Sequence, residues 1–289
     1  MTIVLENENI TVTFVNKGAE LRGIKSKITG LDYLWKGDQQ FWGKFSPVLF
    51  PIIGGLKNDS YIFEDKEYHL PRHGFARDHD FEVQQISDGE VLFTLSSTAE
   101  TLALYPFEFK LGLRYQLSGN TLSCTYEVDN TAQKDMLFSI GGHPAFAAPL
   151  TADTSYEDYY VEFTAEQSVT YHKIADNLIS DQTVELPLNE GKLALKHELF
   201  YDDALVFKTL KSNLLHLRNT KNSHGLDFSF EGFPYFGIWA AKDADFVCLE
   251  PWCGIADGVN HNQQLSDKEG VISLSPGQSW NRTWQVTVY

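Results

Sequence analysis

Two histidines, one glutamate and a pair of aspartates stand in short stretches whose neighbours define their surroundings. His73 lies in Arg72-His73-Gly74-Phe75-Ala76-Arg77, flanked by two cations, and His143 lies in Leu137-Phe138-Ser139-Ile140-Gly141-Gly142-His143-Pro144-Ala145-Phe146. Asp202 and Asp203 directly precede Ala204-Leu205-Val206-Phe207, and Glu250 stands in Phe246-Val247-Cys248-Leu249-Glu250-Pro251-Trp252-Cys253-Gly254. Carboxylates and imidazoles are the groups that take up and return protons near neutral pH, an unperturbed histidine titrating near ~6.5. The chemistry this set suits is general acid–base catalysis. An unpaired carboxylate at the end of an apolar strand is costly, so Glu250 is expected to have a partner or a purpose. A histidine held in a turn can equally be a satisfied structural residue, and two acids before a strand can cap a turn. On the residues alone both readings stay open.

Other chemistries find less support. His69, His73 and His79 suggest zinc, because histidines spaced i,i+4 on a helix share a metal. Pro71 and Gly74 break any such helix, and no glutamate sits between the histidines at the metalloprotease spacing, so no metal site is expected. There is no Gly-x-Ser-x-Gly elbow, no phosphate-binding glycine loop and no dinucleotide fingerprint between a strand and a helix. Acyl transfer and nucleotide chemistry therefore lose support, and no cofactor is expected.

The elements that must hold these groups are strands. Ile10, Val12 and Phe14 alternate with threonines, which predicts an N-terminal strand. Phe107, Phe109, Leu111, Leu113, Tyr115 and Leu117 alternate with polar residues, and after Ser118-Gly119-Asn120 the face resumes at Leu122, Cys124, Tyr126 and Val128. That is a β-hairpin with a three-residue turn. The run from Leu137 to Ile140 stops at two glycines and reads as a core strand entering a bend. Lacking Cβ atoms, Gly141 and Gly142 would let a substrate approach the backbone, while Pro144 keeps His143 extended. Phe236-Gly237-Ile238-Trp239-Ala240 predicts a strand buried on both faces. The closing strand carries Trp280, Arg282, Trp284, Val286 and Val288 on one face, with Arg282 there as a snorkelling or paired residue. Function is not legible between positions 153 and 198. No solenoid repeat, no low-complexity linker and no long helical period is present, so the chain reads as nearly all β and as one domain over residues 1–289.

Composition agrees. A 289-residue chain that is 43% hydrophobic and 21% charged, with 20 Phe, 13 Tyr and 6 Trp, has ample core material and leans towards sheet. A net charge of −16 with no local Lys/Arg run argues against nucleic acid as a partner. No stretch approaches the ~18 apolar residues of a membrane span, and Glu6 interrupts the start before a signal-like apolar core, so a soluble cytoplasmic protein is expected. Three cysteines without a Cys-x-x-Cys pair read as free thiols, with Cys124 in core packing.

Aromatic faces and carboxylates are what a sugar site requires, since the ring CH face stacks and hydroxyls donate to acidic oxygens. Arg72-His73-Gly74-Phe75-Ala76-Arg77, Gly142-His143-Pro144-Ala145-Phe146, Asp203-Ala204-Leu205 and Leu249-Glu250-Pro251-Trp252, taken in this order over essentially the whole chain, resemble the aldose 1-epimerase, or galactose mutarotase-like, family. The likeness is closest to the bacterial branch near the sugar-phosphate mutarotase relatives. It implies a large antiparallel β-sandwich with a sugar cleft across one sheet. It also implies Glu250 as general base, His143 as general acid, His73 as a second histidine on the sugar, and Asp203 as a hydroxyl-binding acid, with Asp202 the alternative one position away. Relatives carry arginine after the glycine of a Phe-Pro-Ile-x-Gly stretch, whereas here Gly54 is followed by Gly55; Lys57 or Arg72 is expected to supply the cation. Arg72, Arg77 and Lys57 are the candidates for a phosphate, and Trp252 for a sugar face. The expected partner is a small sugar or sugar phosphate, with no metal or cofactor, and the protein is expected to be a monomer or homodimer. The competing readings are a glycosidase, which would use two carboxylates about 5–10 Å apart, and a non-catalytic carbohydrate-binding protein.

Overall fold

The computed structural model describes residues 2–289. Alternation along the chain builds two large antiparallel sheets. In the nine-stranded back sheet the order is Lys192–Ala194, Tyr159–Phe163, Leu214–Asn219, Leu226–Ser229, Ser279–Val288, Thr121–Asn130, Phe109–Ser118, Glu90–Ser96 and Glu82–Ser87. The eight-stranded front sheet runs Leu178–Pro187, Ser168–Ala175, Leu205–Phe207, Tyr235–Trp239, Phe246–Cys253, Ile140–Gly142 and Val48–Leu49, with Ala145–Ala147 also paired to Phe246–Cys253. A three-stranded sheet from Thr2–Glu6, Ile10–Val15 and Leu21–Ser26 flanks them. The expected all-β architecture is therefore present. Among the described residues, the one α-helix is Ala99–Leu104, started by Thr98 and Thr101 in a reciprocal capping box.

The period-2 faces predicted on the long strands point inward. Leu122, Cys124, Tyr126 and Val128 are buried on one strand, and Leu111, Leu113 and Tyr115 on its neighbour. One continuous cluster of buried side chains runs from Ile3 to Val288. A smaller cluster of Leu49, Ile53, Ile179, Val206, Trp252, Ile255 and Ala256 sits on the other face of the front sheet. All three cysteines are buried free thiols.

Local details correct the sequence reading in three places. Ser118 pairs with Thr121, so the hairpin turn has two residues, not three; its positive φ of 57° falls at Gly119, the first central position, which favours a II′-type turn matched to the strand twist. Glu250 lies inside the Phe246–Cys253 strand, every residue of which is buried, not at its end. Gly141 and Gly142 form strand, not bend, and the space they leave belongs to the protein rather than to a substrate. A Cβ on Gly142 would stand 2.6 Å from the Tyr126 hydroxyl and 3.3 Å from Trp284 Nε1. Trp284 Nε1 donates to that hydroxyl at 2.8 Å, so a hydrogen-bonded pair from the back sheet rests directly under the residue before His143. Arg282 has no acid partner among the described residues; its guanidinium lies 5.5 Å from the Trp280 ring centroid.

This close approach generates a test. Gly142→Ala forces a methyl against the Tyr126 hydroxyl and is expected to cost about 1–3 kcal/mol. Tyr126→Phe removes that oxygen, so the double variant should lose less than the sum of the single losses in urea denaturation. Strict additivity would show that Gly142 is not set by this contact.

Candidate active site

The site is assembled where two paired strands lose their ladder donors. Phe246–Cys253 is flanked on one side by Tyr235–Trp239, with Gly237 opposite Glu250, and on the other by Ile140–Gly142 and Ala145–Ala147. Between those last two strands run His143 and Pro144, and Pro251 follows Glu250. Neither proline donates to a ladder. In this interruption His143 Nε2 lies 3.3 Å from Glu250 Oε2. The two groups that the resemblance assigns as acid and base therefore touch each other from adjacent strands, rather than facing each other from opposing strand ends. Trp42 stacks on the His143 ring at 4.9 Å, and Trp239 meets it edge-on at 5.5 Å.

His73 arrives from a loop and lies 5.8 Å from the His143 ring, nearly perpendicular to it. Its backbone has φ 70°, a left-handed conformation of the kind that persists only when the surroundings hold it. Gly54 does so from both sides: His73 N donates to Gly54 O at 2.9 Å, and Gly54 N donates to His73 Nδ1 at 3.0 Å. With Nδ1 an acceptor, a neutral imidazole carries its proton on Nε2. Arg72 Nε donates to His73 Nε2 at the longer distance of 3.3 Å, so a ring protonated on Nε2 keeps the shorter Gly54 bond and sets its own N–H against that of Arg72. Two N–H groups facing one another call for an oxygen between them.

Arg72 is itself held across the cleft. Its Nη1 donates to Asn177 Oδ1 at 2.7 Å, and its Nη2 lies 3.8 Å from Asp203 Oδ1. A Cβ at Gly55 would stand 2.9 Å from Asn177 O and 3.1 Å from Asn177 Cβ, so the Asp176-Asn177 turn occupies the space into which a side chain at 55 would begin. Of the two cations expected to serve in place of a side chain at 55, Arg72 reaches the cleft, from another loop. Asp203 has φ 132°, unfavourable for a residue with a Cβ, and its carboxylate accepts from Ala204 N at 2.7 Å. Asp202 instead faces Lys173 at 3.5 Å and is largely exposed, so Asp203 is the acid turned towards Arg72. Arg77 lines the cleft but spends Nη2 on Arg72 O at 2.8 Å and lies 3.7 Å from Asp78. Lys57 is not brought to the cleft: its ammonium donates to His261 O at 3.0 Å. Trp252 lines the cleft as a nearly buried floor residue packed in the smaller apolar cluster.

The resulting cleft has a volume of about 480 Å³, within the range of small-molecule sites. Its walls include Trp42, Trp239, Ile174, Asn177 and Ile179, of which none was singled out as a site residue from the sequence. Trp42 and Trp239 were legible only as aromatics, and Asn177 belongs to a hairpin turn in the segment without a functional signature. Burial dominates the electrostatics at the floor. It pushes the Glu250 carboxyl well above its usual range, with Arg72 opposing that shift and Asp203 adding to it. It pushes His143 down to about 3, assisted by the charges of Arg72 and Arg77. His73 is likewise lowered by burial, then by His143 and the two arginines. The favoured state of the Glu250–His143 pair is net neutral, with a single proton between an oxygen and a nitrogen. His143, Cys248 and Glu250 also bring three ligand atoms within 4.8 Å of one another. Cys248 is fully buried behind the floor, its thiol held protonated by burial and then by Glu250, and it lacks access to the cleft.

An antiparallel β-sandwich with a buried carboxyl–imidazole pair under an aromatic-walled cleft is a scaffold suited to acid–base chemistry. Comparison with known proteins is specific: residues 1–287 match the aldose 1-epimerase family model, and the chain belongs to that family. It is an isomerase of the epimerase type. It is 34% identical to protein LacX of Lactococcus lactis, across all of this chain and 99% of that one. Among solved structures, it superposes on a galactose mutarotase related enzyme from Lactobacillus acidophilus with TM-score 0.95 and 34% identity, covering 100% and 97% of the two chains. A galactose mutarotase-like protein from Lactobacillus casei gives TM-score 0.91 and 31% identity over the full length of both. Among the described residues, no helix is long and apolar enough to cross a membrane.

The buried imidazoles fix the sign of the acid response. An unfolded histidine takes up a proton near pH ~6.5. His73, held neutral below that value, and His143, held neutral to about 3, do not. Below pH ~6.5 the unfolded chain therefore binds more protons, and stability falls as pH falls, by up to about 1.4 kcal/mol per pH unit for each such group. His73→Asn keeps an acceptor for Gly54 N but cannot titrate. The stability of the wild type minus that of the variant should rise with pH up to ~6.5 and be flat above; a difference independent of pH would mean that His73 titrates normally in the fold.

Proposed function

We propose that this protein is an aldose 1-epimerase that interconverts the α and β anomers of a hexose by acid–base ring opening and closure. The observation that carries the reading is the 3.3 Å contact of Glu250 and His143 at the buried floor of a polar cleft. Anomerisation needs one proton taken from the C1 hydroxyl and one given to the ring oxygen, after which the ring opens, rotates about C1–C2 and closes on the other face. A neutral pair with one mobile proton meets that balance. A C1 hydroxyl donating to Glu250 favours its carboxylate, and a ring oxygen accepting from His143 Nε2 favours the imidazolium, so the substrate draws the shared proton onto His143. Glu250 then accepts the C1 proton while His143 delivers its own to the ring oxygen. Closure reverses both transfers and leaves the pair as it began. Each group contributes about 10²–10⁴-fold, or roughly 3–5 kcal/mol.

In this reading His73 Nε2 and Arg72 Nε donate together to one sugar oxygen, Asp203 accepts from a hydroxyl, and Trp252 backs the apolar face of the ring. The substrate is a neutral hexose. Arg72 and Arg77, the arginines that a phosphate would use, already face Asp203 and Asp78, and the chain's −16 charge slows any anion's approach. A glycosidase would set two carboxylates across the scissile bond. Here the immediate partner of Glu250 is an imidazole, which favours proton exchange on a single ring.

Polarimetry on fresh α-glucose, α-galactose and glucose 6-phosphate tests the proposal. Glu250→Gln keeps the shape but cannot take the proton, and its kcat should fall by about 10²–10⁴-fold; retention of more than a tenth of the activity would remove Glu250 from the base role. His143→Asn should lower kcat comparably, whereas His73→Asn should raise KM as well as lower kcat, and equal small effects from both would return these residues to structure. Glucose should be preferred to glucose 6-phosphate at low and high salt. A phosphate preference that is strongest at low salt and lost in Arg72→Ala would overturn the neutral-sugar assignment.

A further inference from the structure

We propose that the indole N–H of Trp252 is the donor to which Glu250 turns when it becomes charged, so that Trp252 is a positioning residue for the base. The proposal rests on the mutarotase reading. Its first support is where the ring lies. Glu250 and Trp252 stand two positions apart on one strand and so share a face, with Gly237 opposite Glu250 on one side and Gly141 opposite Trp252 on the other. A Cβ at Gly141 would stand 2.6 Å from Trp252 Cδ1, and one at Gly237 would stand 2.5 Å from its Cη2 and 2.6 Å from its Cζ2. The indole therefore crosses its own strand, from the level of residue 252 to the level of residue 250. Nε1 belongs to the ring edge that joins Cδ1 to Cζ2, which carries the N–H towards the Glu250 side chain.

The second support is a donor without a partner. Trp35 Nε1 donates to Trp42 O at 2.9 Å and Trp284 Nε1 to the Tyr126 hydroxyl at 2.8 Å, whereas Trp252 Nε1 is buried with no hydrogen-bond partner among the described residues. A buried indole N–H ordinarily finds an acceptor, and leaving it unpaired costs free energy. The acceptor is at hand. His143 is the one ion-pair partner of Glu250 among the described residues, and a carboxylate has lone pairs for further donors.

The electrostatics of the floor agree. Burial raises the Glu250 carboxyl, Arg72 opposes that rise and Asp203 adds to it, and hydrogen bonding from Trp252 opposes it. A neutral indole suits this place. It steadies the anion without setting a further positive charge beside the imidazolium that forms on His143, which a cation would disfavour. In the resting pair, with one proton and no net charge, the N–H is idle. When the substrate draws the proton onto His143, the carboxylate meets a donor already in place, at no cost of reorganisation.

The test replaces Trp252 by benzothienylalanine, which keeps the shape of the ring and carries sulfur in place of the N–H. Polarimetry on glucose should show kcat lowered about ten-fold, with KM within about two-fold of the wild type. The alkaline limb of the kcat/KM profile, where the free pair loses its proton, should move up by about one pH unit, because a carboxyl deprived of its donor holds its proton longer. Trp252→Phe should move the limb equally while raising KM, since it also shortens the apolar backing of the sugar. A limb unmoved in both variants would reduce Trp252 to packing and overturn the proposal. A readout without turnover separates the contact from the reaction. In the NMR spectrum the Trp252 indole proton, assigned by its absence from Trp252→Phe, should shift downfield as pH rises from neutral to alkaline and stay still in Glu250→Gln. A proton indifferent to pH in the wild type, or titrating alike in Glu250→Gln, would overturn the contact. Titration that depends on Glu250 in a protein that anomerises no sugar would instead keep the contact and overturn the reaction.

Discussion

A carboxyl group placed inside a fully buried strand is the constraint around which the rest of the molecule is arranged. An isolated carboxylate there would be prohibitively costly, so the group must be neutralised, paired, or both. Glu250 achieves this with His143, and the cost of charging either one is what keeps a single proton in the pair. The pair's competence as an acid–base couple and its tolerability in the core have one physical origin. Water would spoil both, and the stacked Trp42 and edge-on Trp239 cover the imidazole that water would otherwise reach.

Holding two such groups in contact requires a floor that does not give. The Tyr126–Trp284 hydrogen bond presses against Gly142, so the position of His143 is referred to the back sheet rather than to a surface loop. The front of the site is built by different means. His73 and Asp203 both sit in backbone conformations that a residue with a Cβ rarely adopts, and each is retained by hydrogen bonds to its neighbours. In the proposed reaction a rigid sheet carries the proton chemistry and strained loops carry the groups that grip the substrate, a division that would keep the reacting atoms in register while recognition is tuned around them.

The strands of the sandwich were legible in the sequence because alternation leaves a local mark, and proline, glycine and strand ends drew attention to His73, His143, Glu250 and the Asp202-Asp203 pair, while their roles came from the family resemblance alone. The hairpin at Gly119 was visible, and its turn length was not, since register is decided by the partner strand. The direct contact of His143 with Glu250 was hidden because the positions are far apart in sequence and meet only through the strand pairing of Phe246–Cys253. Lys57 illustrates the opposite error: a cation near the right glycine pair was drawn to the backbone carbonyl of His261 instead. Asn177 had no signature, since one residue of a hairpin turn gains meaning only when Arg72 arrives from a distant loop.

A buried ion pair outside the cleft shows how far the support of the site extends. Asp257 Oδ1 accepts from Lys268 Nζ at 2.7 Å, and its Oδ2 accepts from Lys57 N at 2.9 Å and lies 3.2 Å from His261 Nδ1. Its backbone N donates to Gly55 O at 3.0 Å, and its carbonyl accepts from Ile179 N at 2.8 Å. Such a pair contributes little net stability over an apolar equivalent, yet removing one partner strands the other, at about 3–5 kcal/mol. Its value is therefore geometric. It locks the Gly54–Lys57 segment to the hairpin that carries Asn177, and Gly54 N is the group that fixes the proton of His73 on Nε2. The segment that holds the His73 ring is thus supported by a carboxylate that does not line the cleft.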